Sequence, residues 1–67
     1  MIQVGKKYRH FNGGVYEVLM LAFNTDHNNT DVVYRNNKNQ VFTRDYDTWL
    51  EEVRPGVKRF KKIDEEV

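Results

Sequence analysis

Apolar and polar positions alternate from the first cation-rich stretch. In "KYRHF", residues 7–11, Tyr8 and His10 fall on one side and Arg9 and Phe11 on the other, as side chains do along a strand. "NGG", residues 12–14, tolerates positive φ and is the strongest hairpin signal in the chain. The next run, "VYEVLMLAF" at 15–23, predicts a second strand. Tyr16, Val18, Met20 and Ala22 would share one face, with Val15, Glu17, Leu19, Leu21 and Phe23 on the other. It turns apolar on both faces toward its end, which suits a central strand or a bent one shared between two sheets. A helix here would start at Gly-Gly without a cap.

Polar residues at 24–31 predict a loop, since Asn and Asp side chains compete for local backbone bonds. "VVYR" at 32–35 and "VFTR" at 41–44 are the third and fourth strands, joined by the tight connection "NNKNQ". The period then changes. Trp49, Leu50 and Val53 recur at helical spacing within "RDYDTWLEEV". Asp45 or Asp47 can cap that helical turn, Trp49 would plug the core, and Pro55 with Gly56 would end it. "VKRFKKI" at 57–63 reads as a closing edge strand whose lysines discourage edge-to-edge pairing. The expected fold class is therefore all-β: a small SH3-like five-stranded barrel with one short helical turn before the last strand. An OB-fold needs longer strands and a larger chain.

The chain has 67 residues, so one small domain is expected, with its core at about 5–63 and an acidic tail at 64–67. A chain of this size buries only about 60% of its unfolded surface. Cysteine is absent, which leaves no disulfide or thiolate metal site and fits a reducing cytoplasm. His10 and His27 match no metal-ligand spacing, so neither metal nor cofactor is expected. Serine is also absent, and no base stands beside Thr25, Thr30, Thr43 or Thr48 to activate a hydroxyl. Asp45 and Asp47 are explained by capping and the helix dipole. The expectation is accordingly not an enzyme. The apolar stretch at 18–23 is too short to cross a bilayer, and no charged start precedes a long apolar run as in a signal peptide. A cytoplasmic protein with no membrane partner is expected.

"GKKYRHFNGGVYEVLMLA", then "VVYR", then an arginine closing "VFTR" before "TWLEEV", resemble the bacterial domain-of-unknown-function 1653 family. The resemblance runs from about Gly5 to Ile63. It implies a small β fold and carries no reaction with it. Two places depart from the family pattern: Asn24 stands where a histidine is usual and Asp26 where a glutamate is. "NNKNQ" replaces a longer Leu-Tyr-Gly-like segment after the Val-Tyr pair.

Candidate chemistry lies in a few cations and aromatics. Arg9, His10, Tyr34 and Arg44, with Trp49 nearby, could bind an anionic or planar group, because arginine offers a fork of donors and the rings offer stacking surface. The competing reading puts Tyr8, Tyr34 and Trp49 in the core and pairs the arginines with Glu17, Asp45 or Asp47. A nucleic-acid site is the alternative, through Lys58, Arg59, Lys61 and Lys62 interleaved with Phe60. The formal net charge of only +1 gives that site no overall basic field. A third possibility is a structural homo-oligomer, since "VLMLAF" holds more apolar side chains than one small core hides. The expectation is a non-catalytic binding module for a small anionic or aromatic ligand, or for a protein partner.

Overall fold

Three asparagines set the turns of the main sheet. Asn12, Asn24 and Asn36 each accept, at Oδ1, the backbone N–H two residues ahead: Gly14 at 3.1 Å, Asp26 at 3.0 Å and Lys38 at 2.9 Å. This side-chain mimic of a backbone turn is why asparagine is favoured at such corners. Positive φ at Gly13 (105°), Asn28 (53°) and Asn39 (65°) completes the three reversals.

The structure, a computed structural model, describes residues 1–63; the acidic tail expected at 64–67 lies outside the described residues. The turns join β1 (Lys7–His10), β2 (Val15–Asn24), β3 (Asn29–Arg35) and β4 (Val41–Asp45). There follow α1 (Tyr46–Leu50), β5 (Glu52–Arg54), β6 (Val57–Lys58) and β7 (Phe60–Lys62). The protein is mainly β. Its main sheet is antiparallel, in the order β4-β3-β2-β1-β7, and β5 and β6 form a separate hairpin. A closed five-stranded barrel was expected. The described sheet is open instead, with β4 and β7 as its two edges.

Three local expectations need correction. The polar loop at 24–31 shrinks to a short turn, because β2 runs to Asn24 and β3 begins at Asn29. The polar residues there find partners in the sheet: the Asn29 amide donates to Asp31 Oδ1 (2.8 Å) and Asp45 Oδ1 (2.6 Å).

The second correction concerns β2. Its register shifts between Val18 and Met20, so Met20 faces Val33 and Leu21 faces Val32. One extra residue in a strand reverses the parity of everything after it. Leu21, not Met20, therefore shares the face of the buried Val32, and Met20 is 52% exposed.

The third concerns the chain after β4. Asp45 caps it, accepting the Thr48 N–H at 3.1 Å. It ends at Leu50, because Glu51 is extended and its carbonyl accepts the Arg59 N–H at 2.9 Å. Val53 belongs to β5, and Pro55-Gly56 is the hairpin turn, with Gly56 at φ +82°. The single closing strand expected at 57–63 is split at Arg59, and its second part pairs with β1.

The core lies on one face of the sheet. Tyr8, Val18, Val32, Tyr34 and Phe60 come from the strands, Trp49 from α1 and Ile2 from the segment before β1. Ile2 is held there by backbone bonds from Gly5 N–H to the Val18 carbonyl (2.8 Å) and from Val18 N–H to the Lys6 carbonyl (3.0 Å). Trp49 and Phe60 stack with centroids 3.6 Å apart and ring planes 4° from parallel. Tyr8 and Tyr34 meet Trp49 edge-on, the geometry that ring quadrupoles favour. With so few buried side chains, each aromatic carries a large share of the apolar burial that a small chain can muster.

Candidate functional site

The β1–β7 pairing gathers cations from both ends of the sequence. Arg9 and Lys61 are opposite one another, and His10 is opposite Phe60. The β5–β6 hairpin brings Lys58 alongside. Between them lies an open groove of about 750 Å³. Its charged margin is Arg9, Lys58, Lys61 and Lys62; its apolar part is Phe11, Val57 and Ile63, with His10 between. No carboxylate is among the described residues lining it. Phe11 is 48% exposed and its ring leans on His10, centroids 4.5 Å apart. His10 in turn meets the Phe60 edge at 4.8 Å. The Phe11 ring is thus braced from behind while much of it faces solvent.

The residues expected to form one site divide between places. Arg9 and His10 both line this groove, although strand parity directs their side chains to opposite faces of β1. Tyr34 and Trp49 are in the core, 5% and 2% exposed, and offer no ring face to a ligand. Arg44 lines a different depression, shared with His27, Asp31 and Asp45. Its guanidinium lies 5.6 Å from the Phe60 centroid, and its Nε donates to the Tyr34 hydroxyl at 3.4 Å. Arg44 and His10 therefore both touch Phe60, but Arg9 and Arg44 do not converge. Of the basic set, Lys58, Lys61 and Lys62 line the groove. Arg59 turns away, donating from Nε to the Thr48 carbonyl (3.1 Å) and pairing with Glu51 (3.4 Å). The sequence reasoning missed Phe11, Val57 and Ile63 as groove residues. Phe11 alone left a sign, being apolar beside a turn.

Glu17 and Asp45 are structurally engaged. Arg35 holds Glu17 Oε1 with both Nε (3.1 Å) and Nη2 (2.8 Å). The Asp45 carboxyl is held below its ordinary value of 3.8, chiefly by the Thr48 N–H; desolvation opposes this, and Asn29 adds a smaller lowering effect. It is a fixed anion that caps a helix. Asn24 closes the 25–28 turn and also donates to Asp31 Oδ2 at 3.2 Å. The 36–40 turn is closed by Asn36, whose Oδ1 accepts both Lys38 and Gln40 N–H. Both stretches therefore serve as turn devices here.

Fold and groove together define a small antiparallel β protein with a basic, aromatic-floored surface groove. No curated protein and no solved structure matches the chain. It belongs to the DUF1653 family, proteins of unknown function, whose sequence pattern matches residues 6–62. Among the described residues no helix is long and apolar enough to cross a membrane.

Proposed function

We propose that this protein is a non-catalytic, cytoplasmic binding module, and that the groove beside β7 takes an anionic ligand carrying a planar group. One observation carries this reading. Four cations and three apolar side chains line one groove with no carboxylate among the described lining residues, in a chain whose formal net charge is only +1. Arg9 offers a fork of donors that fits a phosphate or carboxylate, and the lysines act as point charges. Phe11 supplies a ring face for stacking. An SH3-like fold, opened rather than closed, suits the strand order, the bulged β2 and the short helix before the last strands.

The test is a thermal-shift panel of inorganic phosphates, small polycarboxylates and nucleotides. Ligand at a hundred times its Kd stabilises by about 2.7 kcal/mol, a rise of roughly 10–20 °C for a domain of this size. Arg9→Ala and Lys58→Ala should unfold at the wild-type temperature and lose that rise. No shift with any member of the panel overturns the reading.

Single-stranded nucleic acid is the second reading, favoured by Lys58, Lys61 and Lys62 lying beside the exposed Phe11. It differs in salt dependence, since each lost phosphate contact lowers the salt slope by about one. A low-salt gel shift with short oligonucleotides, absent in Lys58→Ala, would separate it from a small-ligand site.

A further inference from the structure

The open sheet has two edges, and they are built differently. β7 carries Lys61 and Lys62, a common guard against unwanted pairing. β4 reads Val41-Phe42-Thr43-Arg44-Asp45 and has neither lysine nor proline. Val41 is 58% and Phe42 37% exposed, and Thr43 is exposed beside them. Its ladder with β3 is regular over all five residues, without a bulge to twist the edge away.

The direction of its backbone groups follows from one bond. Asn36 N–H donates to the Gln40 carbonyl at 3.0 Å, just beyond this ladder. Bonded and non-bonded pairs alternate along antiparallel strands. Phe42 and Arg44 therefore direct their N–H and C=O groups toward β3. Those of Val41, Thr43 and Asp45 point outward from the sheet.

We propose that β4 pairs with β4 of a second copy of this chain, antiparallel about a two-fold axis at Thr43. The strand is its own complement in that register. Thr43 meets Thr43 at the axis, a favourable cross-strand pair. Phe42 of each copy faces Arg44 of the other on the same side of the sheet, setting a ring beside the apolar stem of an arginine whose guanidinium stays by Phe60. Val41 faces Asp45, and no like charges are brought opposite one another. Thr43 supplies a donor and an acceptor to its counterpart, and the Asp45 N–H meets the Val41 carbonyl of the other copy; the Asp45 carbonyl opens the first turn of α1 and takes no part in the joining ladder. Two sheets become one, and the exposed edge is gone. The groove beside β7 lies at the opposite edge and stays open, so this assembly is independent of ligand binding there.

Sedimentation across micromolar to millimolar protein tests the idea. A reversible dimer is expected. Thr43→Pro removes the outward N–H at the axis while leaving the bonds to β3, as edge strands tolerate. Thr43→Lys sets like charges face to face. Each should raise the dimer dissociation constant by about tenfold or more, whereas Lys61→Thr at the other edge should not. Because the chain has no cysteine, Thr43→Cys gives a direct geometric check. Bonded antiparallel partners have Cα atoms about 5.5 Å apart, inside the roughly 4.4–6.8 Å range of disulfides, so mild oxidation should link two chains. Lys61→Cys should link far more slowly. A monomer at every concentration, a dimer indifferent to Thr43→Lys, or equal cross-linking of the two cysteine variants overturns the proposal. If Thr43→Pro fails to fold by circular dichroism, the Lys and Cys variants decide.

Discussion

Replacing Phe60 by alanine should bring this protein close to the limit of folding. Phe60 is 5% exposed and stacked on Trp49 at 3.6 Å. Its edges meet His10 at 4.8 Å, Tyr34 at 5.9 Å and Tyr16 at 6.1 Å, and the Arg44 guanidinium lies over it. It also sits on β7, the strand that closes one side of the sheet against β1. Removing a buried phenylalanine ring costs about 3–5 kcal/mol. Small domains hold about 0.05–0.15 kcal/mol per residue, which for a chain of this length is roughly 3–10 kcal/mol in all. The loss is thus a third of the total or more. Phe60→Leu keeps most of the volume; it forfeits ring pairs at about 0.5–1.5 kcal/mol and some packing, so about 1–3 kcal/mol is expected. Urea unfolding measures both. Trp49 is the sole tryptophan and lies against the altered site, so its fluorescence reports the core, with far-ultraviolet circular dichroism as the independent probe. If Phe60→Ala loses less than about 1 kcal/mol, far below the range for buried rings, or if leucine costs as much as alanine, then the Trp49–Phe60 stack is not the centre of the core.

Two further outcomes follow from the polar contacts. The Asp45 carboxyl titrates lower in the folded chain than its ordinary 3.8; its stabilising effect is therefore present above that value and lost as pH falls through the lower, folded one. The melting-temperature gap between wild type and Asp45→Ala should be constant near neutrality and narrow in acid, and a gap independent of pH would remove the capping argument. The Glu17–Arg35 pair is made by side chains 29% and 42% exposed, so a double-mutant cycle should return a coupling below about 1 kcal/mol that shrinks with salt; a coupling well above that would mean the pair is less solvated than its exposure indicates.

The turns were the most legible part of the chain. Asparagine and glycine at 12–14, and asparagines at 24 and 36, act through bonds to neighbours two residues away, so the local sequence contains the whole interaction. The split of Tyr8 and His10 from Arg9 was legible for the same reason, because alternation is a property of the strand itself. The bulge at Leu19 was not. Val15 to Phe23 is apolar enough to satisfy either parity, and only the pairing of β2 with β3 selects one. Val53 misled because a helical spacing of apolar residues also fits a short helix followed by an extended segment. What ends the helix at Leu50 is the bond from Arg59 to Glu51, between residues on opposite sides of a hairpin.

The candidate site divides along the same line. That Arg9, His10 and the lysines of 58–62 are cations or donors on strands could be read directly, as could the large aromatics a small core requires. Which of them share a surface could not. Tyr34 and Trp49 went inward because a short chain must bury its largest rings, and Arg44 went to the far side of Phe60. The groove exists only because β7 returns to pair with β1, setting Lys61 opposite Arg9 and bringing residues 9–11 against residues 56–63. By itself the sequence determined the asparagine and glycine corners, the presence of the first four strands and the kinds of side chain available. The tertiary structure decided the register of β2, the open edges of the sheet and the company each cation keeps, because those depend on strand pairings between residues that no local pattern connects.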